Sequence, residues 1–125
     1  MYRGYLTSRP FMGERVPQHI QNQIIRNFCL NKNLHYLLSV TEYSIENSTL
    51  ILNQLFDEIK SIDGVVFYSL FQLPKDTKTR NYFIKKFISK NKTLYFAVED
   101  LMIKNNHDHD RIENIWQLKL NIDFC

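Results

Sequence analysis

Three glycines, three prolines and two cysteines are all that the 125 residues contain, and each scarcity removes a class of protein. Cys29 and Cys125 lie far apart, so no disulfide framework and no CxxC pair for zinc or thiol redox chemistry exists. Three glycines leave no Gly-rich phosphate loop of the Rossmann or Walker type. No run approaches the ~20 apolar residues that cross a bilayer, and Met1-Tyr2-Arg3-Gly4 does not open a signal peptide. A cytoplasmic protein without membrane insertion is expected. Charge is not one-sided either: 16 basic and 13 acidic residues leave a net +3. That excess favours an anionic ligand but is too mild for a duplex binder, so DNA is not an expected partner. His107-Asp108-His109-Asp110 fits no zinc or calcium spacing. No metal and no cofactor is expected.

What is present is core material. Hydrophobic residues make up 44% of the chain, with nine Phe and seven Tyr. That suffices for one core and one domain over residues 1–125. Tyr2 to Ser8 reads as a strand, and Pro17 suits the first turn of a helix whose apolar face is Ile20, Ile24, Ile25 and Phe28. Leu34 to Val40 is a second strand. A helix from about Ser48 presents Leu52, Leu55, Phe56 and Ile59. Val65 to Leu70 has the continuous apolar run of a central parallel strand. Asp76 or Thr77 caps a third helix, and Leu94 to Val98 is a fourth strand. Asn105 to Asp110 reads as a polar loop. Beyond it a helix from Arg111 competes with a short strand over Leu118 to Phe124.

Alternation of strand and helix predicts an α/β fold in three layers, with a mostly parallel four-stranded sheet in the flavodoxin-like or resolvase-like order 2-1-3-4 and a C-terminal helix or short extra strand. Such sheets bind ligands beyond the carboxyl ends of their strands, where the order reverses. The loop Ser8 to Arg15 meets the loop Leu70 to Lys75 at that point.

The first loop places Arg9 and Arg15 at a helix N-terminus, where guanidinium forks and free N–H groups suit phosphate or carboxylate. Ser8, Gln18, Asn22 and Ser69 are expected to add polar contacts to the same ligand. His19 has the chemistry of a general acid or base, or of a ligand-orienting donor. Glu42 and Tyr68 follow strands two and three on the same edge. They complete the expected catalytic set with His19, although helix capping also accounts for a carboxylate there. Phe83, Phe87 and Trp116 exceed what a small domain easily hides, which predicts a homo-oligomer.

Two resemblances follow from these residues. Gly4-Tyr5, Arg15-Val16-Pro17-Gln18-His19-Ile20-Gln21 and Val65 to Leu73 resemble the catalytic domain of serine recombinases, the resolvase–invertase group. The family's Arg-Val-Ser-Thr-x-x-Gln signature has its nucleophilic serine where this chain has Pro17. Its Asp-Arg-Leu motif is replaced by Phe71-Gln72-Leu73. The resemblance implies the fold and not the strand-exchange chemistry.

The second is similar over more of the chain. Ser8-Arg9-Pro10-Phe11-Met12-Gly13-Glu14-Arg15-Val16-Pro17-Gln18-His19, Thr41-Glu42-Tyr43 and Tyr68-Ser69-Leu70-Phe71-x-Leu73-Pro74 resemble the sporadic carbohydrate cluster family of bacterial surface-polysaccharide and lipopolysaccharide gene clusters. That likeness implies an enzyme, or enzyme subunit, acting on a phosphorylated or nucleotide-activated sugar. The chemistry would be non-redox: isomerisation, elimination or hydrolysis. The alternative is a non-catalytic resolvase-like module that binds a partner protein or a sugar nucleotide.

Overall fold

The computed structural model describes residues 1–8, 10, 15–42 and 48–123. The order of elements is β1 (Tyr2–Thr7), α1 (Gln18–Asn31), β2 (Tyr36–Glu42), α2 (Leu50–Asp57), β3 (Gly64–Phe67), α3 (Thr77–Ser89), β4 (Thr93–Phe96), β5 (Leu101–Ile103) and α4 (Asn106–Asp123). Short 3-10 turns occupy Ile59–Ser61 and Leu70–Gln72.

The strands form one sheet in the order β2-β1-β3-β4-β5. β1 pairs in parallel with both β2 and β3, and β3 in parallel with β4. β5 runs antiparallel to β4, Leu94 facing Ile103. The expected four-stranded, mostly parallel sheet is therefore corrected to a mixed five-stranded one. The turn at 97–100 is too short for a crossover helix, so the chain can only fold back on the strand it has just left. The C-terminal region differs too. Asn105 to Asp110 is not a polar loop. Asp108 accepts from the Lys104 backbone N–H at 3.0 Å and donates its own N–H to Asn105 Oδ1 at 2.9 Å. These bonds start a helix that continues to Asp123 and removes the competing strand.

Period-2 alternation distributes the sheet's side chains between two layers. Tyr5, Val65, Phe67, Leu94 and Phe96 pack with residues of α2, α3 and α4. Leu6 and Val66 pack against Ile25, Phe28 and Cys29 of α1 on the other face. Phe83, Phe87 and Trp116 are all buried in the first cluster. They are not the exposed surface on which the expectation of an oligomer rested, because α3 and α4 pack together and cover them.

Scarce glycine shapes the helix ends. α1 and α3 both close in Schellman motifs whose left-handed residue is asparagine: Asn33 at φ 57° and Asn91 at φ 58°. The Leu34 N–H reaches the Cys29 carbonyl at 2.8 Å, and the Lys92 N–H reaches that of Phe87 at 3.0 Å. Asn tolerates this conformation better than other non-glycine residues. One glycine is required for space. A Cβ at Gly64 would fall on the carbonyl oxygen of Thr93 in the adjacent strand.

Candidate functional site

The chain progresses from β1 to β2 on one side and to β3 on the other, so the carboxyl ends of β1 and β3 frame the switch point. Two glutamines meet there. Gln21 lies on α1 and is buried. Its Nε2 donates to the carbonyls of Thr7 and Val16, each at 2.8 Å. Its Oε1 accepts from the Thr7 N–H at 3.2 Å and from Gln72 Nε2 at 2.7 Å. Gln72, also buried, closes the 3-10 turn after β3. Its Nε2 also reaches Thr7 Oγ1 at 3.3 Å, and its Oε1 accepts from the Ser69 N–H at 3.3 Å.

Local sequence explains the turn. Ser69 and Gln72 form a capping box, with Ser69 Oγ accepting from the Phe71 N–H at 3.2 Å. Ser69 Oγ in turn donates to Glu99 Oε2 at 2.8 Å, and Glu99 Oε1 accepts from the Leu70 N–H at 2.9 Å. The result is a continuous seam, Thr7–Gln21–Gln72–Ser69–Glu99, across the ends of β1, β3 and β4. Among the described residues, no buried side-chain nitrogen or oxygen lacks a hydrogen-bond partner.

The far side of the turn is held by a buried cation. Arg80, with no solvent exposure, makes a two-pronged pair with Glu113 at 2.6 and 3.0 Å. It also donates to the carbonyls of Pro74 and Lys75, and its guanidinium lies 4.3 Å above the Trp116 ring. Trp116 Nε1 donates to the Leu70 carbonyl at 3.2 Å, which joins α4 to the turn. Burial pushes the Glu113 carboxyl up, but hydrogen bonds from Arg80 and Gln117 and the Arg80 charge outweigh it and hold it below the usual range. Nearby His109 is buried with its Nε2 2.7 Å from Asn81 Oδ1. Burial lowers its basicity against the opposing pull of Glu113 and Asp110.

The residues expected to form a ligand site occupy several different places. Glu42 is buried at the end of β2, where it accepts from Tyr5 Oη at 3.0 Å, Ser48 Oγ at 2.9 Å and the N–H groups of Ile51 and Leu52. It thereby caps α2, whose N-cap Thr49 makes no side-chain cap. Ser8 Oγ reaches the Glu42 carbonyl at 3.5 Å. Tyr68 packs beside the α1-side cluster, and Ser69 belongs to the seam. Arg15, Gln18 and His19 are exposed. His19 and Asn22 come together in a groove of about 400 Å³ along α1, lined also by Gln23, Arg26, Asn27 and Leu30. Asn22 Oδ1 is engaged from the opposite side by Tyr36 Oη at 2.6 Å and Ser39 Oγ at 2.7 Å. Arg9 lies outside the described residues, as do 11–14. Gln21, Gln72 and Arg80 did not enter the expected site. The signal for the first two was their place in the recombinase-like motifs.

No family model matches the chain, and no curated protein matches it. Among solved structures it is similar to the N-terminal catalytic domain of TP901-1 integrase, with a TM-score of 0.68 and 13% sequence identity. The match covers 97% of this chain and 95% of that one. The chain therefore has the fold of a serine-recombinase catalytic domain. This overturns the expectation of a polysaccharide-biosynthesis enzyme acting on an activated sugar. That expectation rested on short loop motifs, part of them outside the described residues, whereas the recombinase likeness extends over nearly the whole backbone. No comparison supports the carbohydrate-cluster family. Among the described residues no three His, Cys, Asp or Glu side chains group as metal ligands, and no helix is long and apolar enough to cross a membrane.

Proposed function

We propose that this chain is a recombinase-fold module that performs no strand transfer and works by binding. One observation carries the reading: the switch point is filled by the chain's own amides. Gln72 stands where the recombinase motif has its arginine, and it gives its amide to Gln21 and Thr7 instead of to a phosphate. Pro17, at the position of the signature serine, has no hydroxyl and precedes α1 as its N-cap. Arg80, a cation close to the turn, is neutralised by Glu113. The hydroxyl of Ser69 is committed to Glu99.

Strand transfer through a serine leaves a covalent protein–DNA ester during the reaction. Incubation of the purified protein with supercoiled plasmid, quenched in denaturant, is expected to give neither adduct nor nicked circles. An adduct abolished by Ser8→Ala would overturn the reading and identify Ser8 as the nucleophile.

A further inference from the structure

Basic residues are not spread evenly along this chain. Lys75 to Lys92 holds seven basic residues and one acidic one, Asp76, while the rest of the chain holds nine basic and twelve acidic. The positive excess of the whole molecule is thus confined to α3 and its two flanks.

The helix sorts those charges by face. Arg80, Phe83, Ile84 and Phe87 are buried. Lys78, Tyr82, Lys85, Lys86 and Ser89 recur at spacings of three and four on the opposite side, with Lys75 and Lys90 just beyond the helix ends. From Lys75 to Lys90 the row extends about 22 Å at helical rise. Tyr82 stands at its centre, 56% exposed, with Lys78 one turn before it and Lys85 and Lys86 one turn after. The Lys86 ammonium lies 4.7 Å from the Tyr82 ring centroid and 4.0 Å from that of Phe56.

Among the described residues, none of Lys75, Lys78, Lys85, Lys86 and Lys90 forms a salt bridge. The described carboxylates are largely committed elsewhere: Glu58 to Arg3, Asp63 to the N-terminus, Asp100 to Lys32, Glu113 to Arg80. Asp76, the one acid in the segment, caps the helix through the N–H and hydroxyl of Thr79.

We infer that the exposed face of α3 is a docking surface for single-stranded nucleic acid, its lysines contacting phosphates and Tyr82 stacking on a base. Lysine ammoniums are point charges that engage a phosphate backbone without reading sequence. An exposed aromatic between them is the arrangement that single strands use, because their bases are free to stack. A duplex keeps its base faces covered and would leave Tyr82 without a function. A membrane surface fits less well, since an interfacial helix inserts its apolar side, and that side of α3 is sealed in the core. The inference stands independently of whether the switch point is catalytic.

The test is fluorescence anisotropy with labelled oligothymidylate, alongside a duplex of the same length, polyglutamate as competitor and phosphatidylserine vesicles. Oligothymidylate is expected to bind, with a log–log salt slope of about −0.7 per phosphate contacted. The exposed-residue variant K78A/K85A/K90A should weaken binding by about tenfold or more. Y82A should weaken it by about five- to tenfold and Y82F restore it, with circular dichroism unchanged throughout. No binding at low salt, binding indifferent to both variants, a preference for duplex with Y82A neutral, equal displacement by polyglutamate, or capture by vesicles alone would each overturn the inference.

Discussion

Gln72 donates its side-chain N–H to Gln21 Oε1 at 2.7 Å, so the turn after β3 is bonded directly to the first helix across the switch point of the sheet. Each amide is saturated by its other contacts: Gln21 with Thr7 and Val16, Gln72 with Thr7 and Ser69. A ligand entering here would have to displace buried hydrogen bonds.

Gln72→Glu tests the polarity of this contact. The substitution keeps the shape but removes both donors and sets a carboxylate against Gln21 Oε1. Losing these bonds and burying an unpaired acceptor should cost about 2–4 kcal/mol at neutral pH. Urea unfolding monitored by circular dichroism measures this, and part of the loss should be recovered in acid as the new carboxyl protonates.

Glu42 gives a second structural expectation. Its carboxylate receives four donors and starts α2. Glu42→Ala should destabilise the fold by about 3 kcal/mol or more, since it removes a charge-assisted cap of α2 and a buried acceptor of Tyr5 Oη. Glu42→Gln should cost less, because one acceptor oxygen remains. Thermal melts of the two variants give the order directly.

Much of the architecture was legible because it is written in local periodicity. The continuous apolar run at 65–70 marked the central strand, and Asp76 marked the start of α3. β5 was not legible: three residues, Leu101 to Ile103, carry no period of their own, and only pairing with β4 makes them a strand. The start of α4 is hidden in the sequence, since polar His107 to Asp110 resemble a loop and only the bonds of Asp108 with Lys104 and Asn105 begin the helix. The candidate site was legible only as an edge. Sequence indicates which polar residues follow the strands, but not whether they face solvent or each other. Gln21, Gln72 and Glu42 turned inward. The lysine row is hidden for a different reason: a mild net charge averages a basic helix against an acidic remainder.

Acid should act on α4 in two separate windows. The His109 basicity is lowered in the fold, so the unfolded chain takes up a proton more readily. Its contribution to stability is complete above its ordinary value of 6.5 and is lost as pH falls through the lower folded value. The Glu113 acidity is strengthened in the fold, so its contribution is present above 4.5 and is lost as pH falls through the folded value below that. Stability measured against pH should show both declines, with His109→Gln removing the upper one and Glu113→Gln shrinking the lower, which Asp63 and Asp76 share because both are also more acidic in the fold.

Cys29 is buried between α1 and the sheet, and burial pushes its thiol up to about 11. Little thiolate forms at neutral pH, so labelling should be slow in the native state and fast in denaturant. In a Cys125→Ser background, Ellman's reagent should react at a rate that follows opening of the α1 layer. Prompt stoichiometric labelling of the native protein would contradict this packing.

The most direct test of a sealed switch point is a double-mutant cycle on Gln21→Ala and Gln72→Ala, read by urea unfolding. If the two amides hold one another in a buried seam, each single change should cost about 2 kcal/mol or more. The double mutant should then fall short of their sum by about 1–2 kcal/mol. Additive and small losses would mean that the glutamines do not support each other, and that the switch point is an open site after all.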